Sequence, residues 1–322
     1  MKKILVTYNL FREGFTELES IYDVTFPSPE KRNFTYKEVL GMISEYDALC
    51  SMFNFPVSKE LIDKAIHLKV ISNYAVGYDN IDVSYALEKG ITVTNTPDPV
   101  TDPTANLALG LLLDTARRIT ELDRKLRTFC GEMKHCVDEN LGFPVTHKIL
   151  GIIGMGRIGK ALCKRAIACG MHVIYHNRRQ LSVEEEMRLD IKYVSKDVLL
   201  READFISINA PYTSETYHII GEIELKKMKQ TAILINTSRG PLVDEKALIK
   251  ALQNNEIAGA GLDVFEFKDI PSPELLRLDN VVLTPHIGTQ TMYTRIEMAK
   301  TVCDNVIGFF KGDRRIFRVV QP

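Results

Sequence analysis

Short apolar runs rich in β-branched residues alternate along the chain with polar, helix-like segments, and this alternation predicts βαβ units with parallel sheets. The pattern occurs in two blocks on either side of a proline-rich segment that starts near Pro97. Each block therefore predicts a doubly wound α/β domain. The predicted strands are residues 3–9, 22–27, 47–52, 69–74 and 91–95 in the first block, and 148–154, 172–176, 205–209, 232–236, 259–263 and 281–285 in the second.

The segments between the blocks predict how the domains are connected. The stretch TPDPVTDPTAN holds three prolines and no apolar run, which indicates a connector. A single long helix is expected after it, from Thr104 to Thr128, and the stretch from Cys130 to His147 is polar and irregular. A final helix with apolar residues near helical spacing is expected to end at Gly312.

Length and composition narrow the functional classes. A chain of 322 residues favours two domains, and 41 Lys+Arg against 42 Asp+Glu give a net charge of -1. This balance argues against a nucleic-acid partner. The longest apolar run, LALGLLL, is too short to span a membrane, and the apolar core of MKKILVTYNL is too short for a signal peptide. Six cysteines without CxxC or metal spacing indicate no metal site and a reduced, cytoplasmic chain.

The second block opens with a strand, a glycine-rich turn and a helix, which together predict a dinucleotide-binding loop. The turn has the pattern GxGxxG. The first glycine permits a tight turn, the second lets the backbone approach a pyrophosphate, and the third lets helix and strand pack closely. The N-terminal N–H groups of the helix then face the anion. The residues expected to bind the cofactor here are Gly154, Met155, Gly156, Arg157, Ile158 and Gly159.

The end of the next strand bears on the choice between NAD and NADP, because an acidic residue there binds the ribose hydroxyls of NAD. This chain has Asn177, Arg178 and Arg179 at that place, and no acidic residue until Glu184. Guanidinium groups suit a 2′-phosphate through planar, charge-assisted hydrogen bonds. We therefore expect these three residues to bind the cofactor, with NADP(H) preferred and NAD(H) possible.

Polar side chains follow the later strands of the second block, where an open parallel sheet binds its ligands. Histidine titrates near neutrality and can protonate a nascent alkoxide, while a guanidinium binds a carboxylate through two parallel hydrogen bonds. These residue types suit the reduction of a carbonyl group. The residues at the strand ends are Ala210, Pro211, Thr237 and Ser238, which we expect to bind the cofactor, and Arg239, Asp263 and His286, which converge on the crevice that holds it.

Several motifs carry a resemblance to a known family. The segments ISNYAVGYDNID, AILINTSRGPLVDEKAL, GAGLDVF and NVVLTPHIG occur in this order along the chain. They resemble the D-isomer-specific 2-hydroxyacid dehydrogenases, and the similarity runs from about Asp47 to the C-terminal helix. The segment YHNRR is similar to the glyoxylate/hydroxypyruvate and 2-ketogluconate reductase branch of that family.

The resemblance implies particular roles for five residues. Arg239 would orient the substrate carboxylate and polarise the keto oxygen, and His286 would be the acid/base. Asp263 would hold the nicotinamide carboxamide. Backbone N–H groups of Val76 and Gly77 would bind the carboxylate from the other wall of the site.

The resemblance also implies a domain organisation and a partner. A flavodoxin-like substrate domain would comprise residues 1–98 and 291–322, and a Rossmann dinucleotide-binding domain would be inserted at residues 99–290. The protein is expected to be a homodimer. The substrate would be a small 2-keto acid of the glyoxylate, hydroxypyruvate or 2-ketogluconate type, reduced to the D-2-hydroxy acid.

One position departs from the family pattern. The family has a glutamate, paired with the catalytic histidine, five residues after the aspartate that corresponds to Asp263, but this chain has Lys268 there. Asp269 or Glu266 could replace that glutamate as the partner, the loop could be shifted in register, or His286 could work without an acidic partner. We favour the first alternative, in which Asp269 or Glu266 is the partner of His286.

Two other hypotheses compete with a 2-keto acid reductase that uses NADPH. The chain could be a dinucleotide-sensing binding protein that kept the fold and lost turnover, which Lys268 favours and the joint presence of Arg239 and His286 opposes. It could also be an NAD-dependent enzyme of the same fold. Activity towards a panel of 2-keto acids with both cofactors distinguishes the three.

Overall fold

The structure, a computed structural model, describes residues 1–129, 131, 133, 136–267 and 270–319. Within these residues the strands are β1 (Lys3–Val6), β2 (Asp23–Thr25), β3 (Ala48–Met52), β4 (Val70–Tyr74), β5 (Thr92–Thr94), β6 (Ile149–Ile153), β7 (His172–His176), β8 (Ile191–Tyr193), β9 (Phe205–Ile208), β10 (Ile233–Asn236), β11 (Gly259–Leu262) and β12 (Val281–Leu283). The α-helices are α1 (Thr16–Ile21), α2 (Tyr36–Met42), α3 (Lys59–Lys64), α4 (Val83–Glu88), α5 (Pro97–Arg117), α6 (Ile119–Thr128), α7 (Arg157–Ala168), α8 (Val183–Leu189), α9 (Lys196–Glu202), α10 (Glu222–Leu225), α11 (Glu245–Gln253) and α12 (Met292–Lys311).

The chain divides into two compact units. One comprises Met1–Val100 with Thr289–Pro322, and the other comprises Thr101–Gly288. No helix of the described residues is both long and apolar enough to cross a membrane. The described residues also contain no group of three or more His, Cys, Asp or Glu side chains that could hold a metal ion.

The first unit is built on a five-stranded parallel sheet with the order β2-β1-β3-β4-β5. Every residue of β3 and β4 is buried, as expected for parallel strands that are covered on both faces. Helix α12 covers one face, where the Ser72 hydroxyl donates to the Val302 carbonyl at 3.2 Å. Because the strand order reverses between β1 and β3, the carboxyl edge of this sheet has a switch point of the flavodoxin type.

The second unit is built on a seven-stranded parallel sheet with the order β12-β11-β10-β9-β6-β7-β8. Six of these strands follow the order of a Rossmann sheet, with β12 added at one edge. The prediction of two parallel-sheet α/β domains is confirmed. The prediction of six strands in the second block was wrong by one, because β8 is a three-residue edge strand whose pattern IKY is too short to give a periodic signal.

The proline-rich segment is helical, which corrects the expected connector. Helix α5 begins at Pro97 and contains the whole stretch except Thr96. Pro97 and Pro99 lie in the first turn, where backbone N–H groups have no acceptor within the helix, so proline costs little there. Only Pro103 lies in the helix interior.

The expected single helix from Thr104 to Thr128 is two helices. Arg118 adopts a left-handed conformation with a φ of 58° and separates α5 from α6. The Asp114 carboxylate accepts from the Thr120 backbone N–H at 2.7 Å and thereby caps the start of α6. Arg118 in turn donates two hydrogen bonds of 2.7 Å to Glu121, which hold the pKa of that carboxyl down at about 2.

Candidate active site

Three of the predicted site residues follow neighbouring strands of the seven-stranded sheet. Arg239 follows β10, Asp263 follows β11, and His286 follows β12, and these strands lie side by side in the order β12-β11-β10. Adjacent strands are about 4.8 Å apart, so the three strand ends lie within roughly 10 Å of one another. The sheet thus brings a guanidinium, a carboxylate and an imidazole to one edge.

The Asp263 carboxylate organises the loop that carries His286. It is buried, and its Oδ1 accepts from the Thr284 hydroxyl and from the Ile287 N–H, each at 2.7 Å. Its Oδ2 accepts from the Gly288 N–H at 2.9 Å. The His286 backbone N–H donates to the Asp263 carbonyl at 2.9 Å. One buried aspartate therefore fixes the backbone on both sides of His286.

Two backbone and electrostatic features show how tightly this loop is held. His286 has a φ of 54°, a left-handed conformation that costs energy for a residue with a side chain. Burial raises the pKa of the Asp263 carboxyl, although the hydrogen bonds from Thr284 and the loop N–H groups, and the nearby His286, all act to lower it. The site therefore keeps a costly buried carboxyl group next to the candidate acid/base.

The glycine-rich loop has the geometry of an anion-binding turn. Gly154 has a φ of 98°, and a Cβ there would lie 2.6 Å from the backbone nitrogen of Ala210. A Cβ at Gly159 would overlap the Gly154 carbonyl, whereas one at Gly156 would meet nothing within 4 Å. Helix α7 begins at Arg157, and its N-cap Gly156 has no side chain to cap the first turn. These properties match the predicted roles of the three glycines.

Unsatisfied polar atoms line the same edge of the sheet. Asn209 Oδ1, after β9, and Thr237 Oγ1, after β10, are buried and have no hydrogen-bond partner among the described residues. A buried polar atom without a partner costs about 1–3 kcal/mol, so such atoms indicate a missing ligand. Together with the open face at Gly156, they fit the polar groups of a dinucleotide.

The residues after β7 have two kinds of environment. Asn177 Oδ1 accepts from the Met155 N–H at 2.6 Å, so this side chain ties the glycine-rich loop to the end of β7. Arg178 and Arg179 are exposed, and Arg178 lies 3.8 Å from the equally exposed Glu215 carboxylate. An exposed pair at this distance contributes little, so Arg178 can be recruited by a ligand at small cost.

The loop of Arg239 is packed against the loop that follows β11. A Cβ at Gly240 would overlap the Phe265 carbonyl, so only glycine permits this approach. The Asn236 side chain donates to the Arg239 carbonyl at 2.9 Å, and Arg239 Nη1 donates to the Ser238 carbonyl at 2.9 Å. The Ser238 hydroxyl donates to the Ala210 carbonyl at 2.5 Å. These contacts set the position from which the guanidinium extends.

Sequence reasoning missed a histidine–glutamate pair next to this loop. His218 Nε2 lies 2.6 Å from Glu266 Oε1, and Glu266 Oε2 accepts from the Glu245 N–H at 2.9 Å. The Glu245 carboxylate accepts from the Glu266 N–H at 3.1 Å in return. Nothing in the spacing of His218 indicated this pairing, because 48 residues separate it from Glu266.

The environment of Glu266 bears on the position that departs from the family pattern. Both oxygens of Glu266 are already engaged by His218 and Glu245, so this carboxylate is unsuited to be the partner of His286. Lys268 and Asp269 lie outside the described residues. A role for Asp269 therefore stays a prediction.

Val76 and Gly77 belong to the other unit, where they follow β4 at the carboxyl edge of the five-stranded sheet. Both are half-buried. Among the described residues, no acceptor is found for the N–H group of either residue. This availability is what a backbone carboxylate site requires.

Taken together, a Rossmann sheet with an open glycine-rich loop, and an arginine and a histidine at its carboxyl edge, define a nicotinamide-dependent oxidoreductase. Residues 109–288 match the family described as D-isomer specific 2-hydroxyacid dehydrogenase, NAD binding domain. The chain belongs to the D-isomer specific 2-hydroxyacid dehydrogenase family.

Known relatives support this assignment over the full length of the chain. A glyoxylate reductase from Thermococcus litoralis is 48% identical over 320 residues, which is 97% of this chain and 94% of that protein. The crystal structure of a glyoxylate reductase from Paecilomyes thermophila has a TM-score of 0.89 at 35% identity, covering 99% of this chain and 98% of the other. An NADPH-dependent glyoxylate/hydroxypyruvate reductase from Sinorhizobium meliloti, in complex with NADP and malonate, has a TM-score of 0.85 at 29% identity, covering 99% and 97%.

Four of the predictions made from the sequence are thereby confirmed. They are the family, the fold class, the assignment as an NAD(P)-dependent oxidoreductase, and the reduction of a small 2-keto acid to a hydroxy acid. The alternative of a binding protein without turnover is not favoured. The individual roles of the site residues stay predictions.

Replacing Gly240 with alanine tests how closely the Arg239 loop is packed. The added Cβ would overlap the Phe265 carbonyl, so Gly240→Ala should lower the thermal midpoint by about 5 °C or more. Gly110→Ala is the matched control, because Gly110 lies in α5 with nothing near its Cβ position, and alanine favours helix by about 1 kcal/mol. Equal midpoints for the two variants, measured by differential scanning calorimetry, would contradict the packing argument.

Proposed function

We propose that the substrate is glyoxylate or hydroxypyruvate and that the product is the corresponding D-2-hydroxy acid. The observation that carries this proposal is the buried Asp263, which follows β11 and fixes the His286 loop after β12, two strands away from the Arg239 loop after β10. The Thermococcus litoralis relative is named for glyoxylate and the Sinorhizobium meliloti relative for glyoxylate and hydroxypyruvate, which supports the same substrate class.

Each residue then has a distinct chemical task. The Arg239 guanidinium binds the substrate carboxylate through two N–H groups and polarises the keto oxygen. His286 donates a proton to that oxygen as negative charge develops on it. The N–H groups of Val76 and Gly77 are further proposed donors to the substrate carboxylate. A bound nicotinamide would supply the hydride that reduces the keto carbon, and Asp263 would hold the carboxamide of that ring.

In this proposal the nicotinamide cofactor binds at the glycine-rich loop. The N–H groups at the start of α7 would hold the pyrophosphate. Ala210, Pro211, Asn209 and Thr237 line the strand ends along which the rest of the cofactor would lie. Ser238 is less available, because its hydroxyl already donates to the Ala210 carbonyl.

NADP(H) is the preferred cofactor in this proposal. Two exposed arginines follow β7, where an acidic residue would repel a 2′-phosphate, and the Sinorhizobium meliloti relative is described with NADP. Tyr193 donates to the Asn177 carbonyl at 3.3 Å and steadies the turn that presents both guanidinium groups. Asn177 itself is occupied with Met155, so the arginines carry the selection.

The protein functions as a homodimer in this proposal. Helix α6 and its C-cap residue carry an apolar stripe made of Ile119, Leu122, Leu126 and Phe129, at the 3-4-3 spacing of one helix face. Three of these four residues are exposed, and Leu122 is half-buried. A second copy of the chain is the proposed cover.

The cytoplasmic location expected from the sequence agrees with the five free cysteines among the described residues.

Steady-state kinetics with glyoxylate, hydroxypyruvate and 2-ketogluconate, each with NADPH and with NADH, test the reaction. Arg239→Gln should lower kcat/KM about 10–150-fold, because it removes charge-assisted hydrogen bonds to the carboxylate. His286→Gln should lower kcat by about 10²-fold or more. Arg201→Gln, which changes an exposed arginine on α9, is the control. Wild-type protein without turnover of any of these acids would contradict the proposal.

The cofactor preference is tested at the two exposed arginines. The double variant Arg178→Gln/Arg179→Gln should raise the KM for NADPH about 10–150-fold, because two charge-assisted contacts to the 2′-phosphate are lost, while the KM for NADH stays near wild type. Arg188→Gln on α8 removes an equally exposed arginine and serves as the control. A clear preference of the wild-type protein for NADH would overturn this assignment.

The dimer is tested on the α6 stripe by light scattering after size-exclusion chromatography. The wild-type mass should be twice the 36.5 kDa of one chain. Leu126→Lys should shift the mass towards a single chain, because a buried lysine without a partner is costly. Met187→Lys places the same charge on an exposed apolar residue of α8 and should leave the mass unchanged. A monomeric wild-type protein would contradict the proposed assembly.

A further inference from the structure

The five-stranded unit contains a hydrogen-bond network that fixes the backbone after β4. The Ala75 carbonyl accepts from the Thr96 N–H at 2.9 Å, and the Val76 carbonyl accepts from Asn95 Nδ2 at 2.8 Å. Both donors come from the two residues that follow β5 closely in the chain. Two consecutive carbonyls of the β4 loop are thus held by the end of the neighbouring strand.

The orientation of these carbonyls dictates where the next two N–H groups point. In a trans peptide the C=O and the N–H lie on opposite sides of the peptide plane. Fixing the Ala75 carbonyl on Thr96 therefore turns the Val76 N–H away from the end of β5. Fixing the Val76 carbonyl on Asn95 does the same for the Gly77 N–H. Two successive N–H groups turned to one side can donate to the same anion.

The loop is held at its far end as well. The Gly77 carbonyl accepts from Asn73 Nδ2 at 2.8 Å, and Asn73 Oδ1 accepts from the Ser51 hydroxyl at 2.9 Å. Asn80 Nδ2 donates to the Met52 and Phe55 carbonyls at 3.2 and 2.9 Å. The backbone from residue 75 to residue 77 is consequently fixed from both directions.

Asn95 is itself positioned by the C-terminal part of the chain. Its carbonyl accepts from Asn305 Nδ2 at 2.9 Å, and its N–H donates to the Phe317 carbonyl at 3.1 Å. The Phe317 N–H donates to Asn305 Oδ1 at 3.0 Å, which closes the arrangement. Asn305 is buried on α12, so its amide has no competing contact with water.

We propose that Asn95 is a positioning residue for substrate binding: its side chain orients the Val76–Gly77 peptide towards the substrate carboxylate, and Asn305 sets Asn95. This inference rests on the proposed function, in which those two N–H groups bind the carboxylate. It adds that the C-terminal helix and the segment after it determine carboxylate affinity without touching the substrate.

Asn95→Asp is the sharpest test, because it keeps the side-chain size and replaces the donor by an oxygen that repels the Val76 carbonyl. The KM for glyoxylate should rise about 10-fold or more, since a charge-assisted contact is misdirected. The KM for NADPH should stay within about 2-fold of wild type. A purely structural role would change both constants or the thermal midpoint alone.

Two further variants keep the test decisive. Asn305→Asp retains the acceptor for Phe317 and loses the donor to Asn95, so the KM for glyoxylate should rise by a smaller factor, about 3-fold. This variant decides the question if Asn95→Asp fails to fold. Asn280→Asp is the control, because the Asn280 side-chain amide likewise donates to backbone carbonyls, those of Leu252 and Ala258, but at the amino ends of β11 and β12. Its KM values should equal those of the wild type.

Amide NMR spectra of protein labelled with ¹⁵N at valine and glycine give a readout that does not need turnover. Addition of sodium oxalate to the full chain with NADP⁺ should shift the Val76 and Gly77 resonances in the wild type and not in Asn95→Asp. An unchanged KM for glyoxylate in folded Asn95→Asp overturns the inference and leaves the proposed function standing. If the wild type reduces none of the acids, the proposed function fails, and the oxalate shifts alone decide whether Asn95 orients a carboxylate site.

Discussion

The arrangement of the site depends on one buried carboxylate. Asp263 follows β11, and burying its charged side chain without hydrogen-bond partners would be very costly. The donors come from Thr284 and from the N–H groups of Ile287 and Gly288, so satisfying Asp263 also fixes the backbone around His286. Its own loop is packed against that of Arg239 through Gly240. The guanidinium, the carboxylate and the imidazole therefore occupy one rigid edge of the sheet.

In the five-stranded unit, neutral side chains rather than a carboxylate orient the groups that are proposed to act. There the groups that would meet the substrate are backbone N–H groups, and they have no side-chain conformation of their own to adjust. Their direction is set by amide side chains that hold the preceding carbonyls, with Asn95 on Val76 and Asn73 on Gly77. In both units, buried or half-buried side chains orient the groups that are proposed to act, and those groups are themselves only partly buried.

Local patterns predicted much of this site. The glycine-rich loop was predictable because its three glycines serve conformational needs within six residues, and the structure shows those needs at Gly154 and Gly159. Arg239, Asp263 and His286 were predictable because parallel strands place their carboxyl ends at one edge. The helical conformation of the proline-rich start of α5 was not predictable, since the cost of a proline depends on whether it lies in the first turn of a helix. The break between α5 and α6 at Arg118 was not predictable either, because it is accompanied by hydrogen bonds from Arg118 to Glu121 that a sequence pattern does not show.

The sequence by itself determined the family, the two parallel-sheet domains and the residue types that reach the site, because these follow from short-range periodicity and from motifs of a few residues. Only the tertiary structure decided which side chains are partners. In the structure Glu266 is hydrogen-bonded to His218, Asn177 to Met155 and Asn95 to Val76, over separations of 48, 22 and 19 residues. Hydrogen bonds are made through space, and a chain specifies such pairs only after the packing of helices and strands has brought distant residues together.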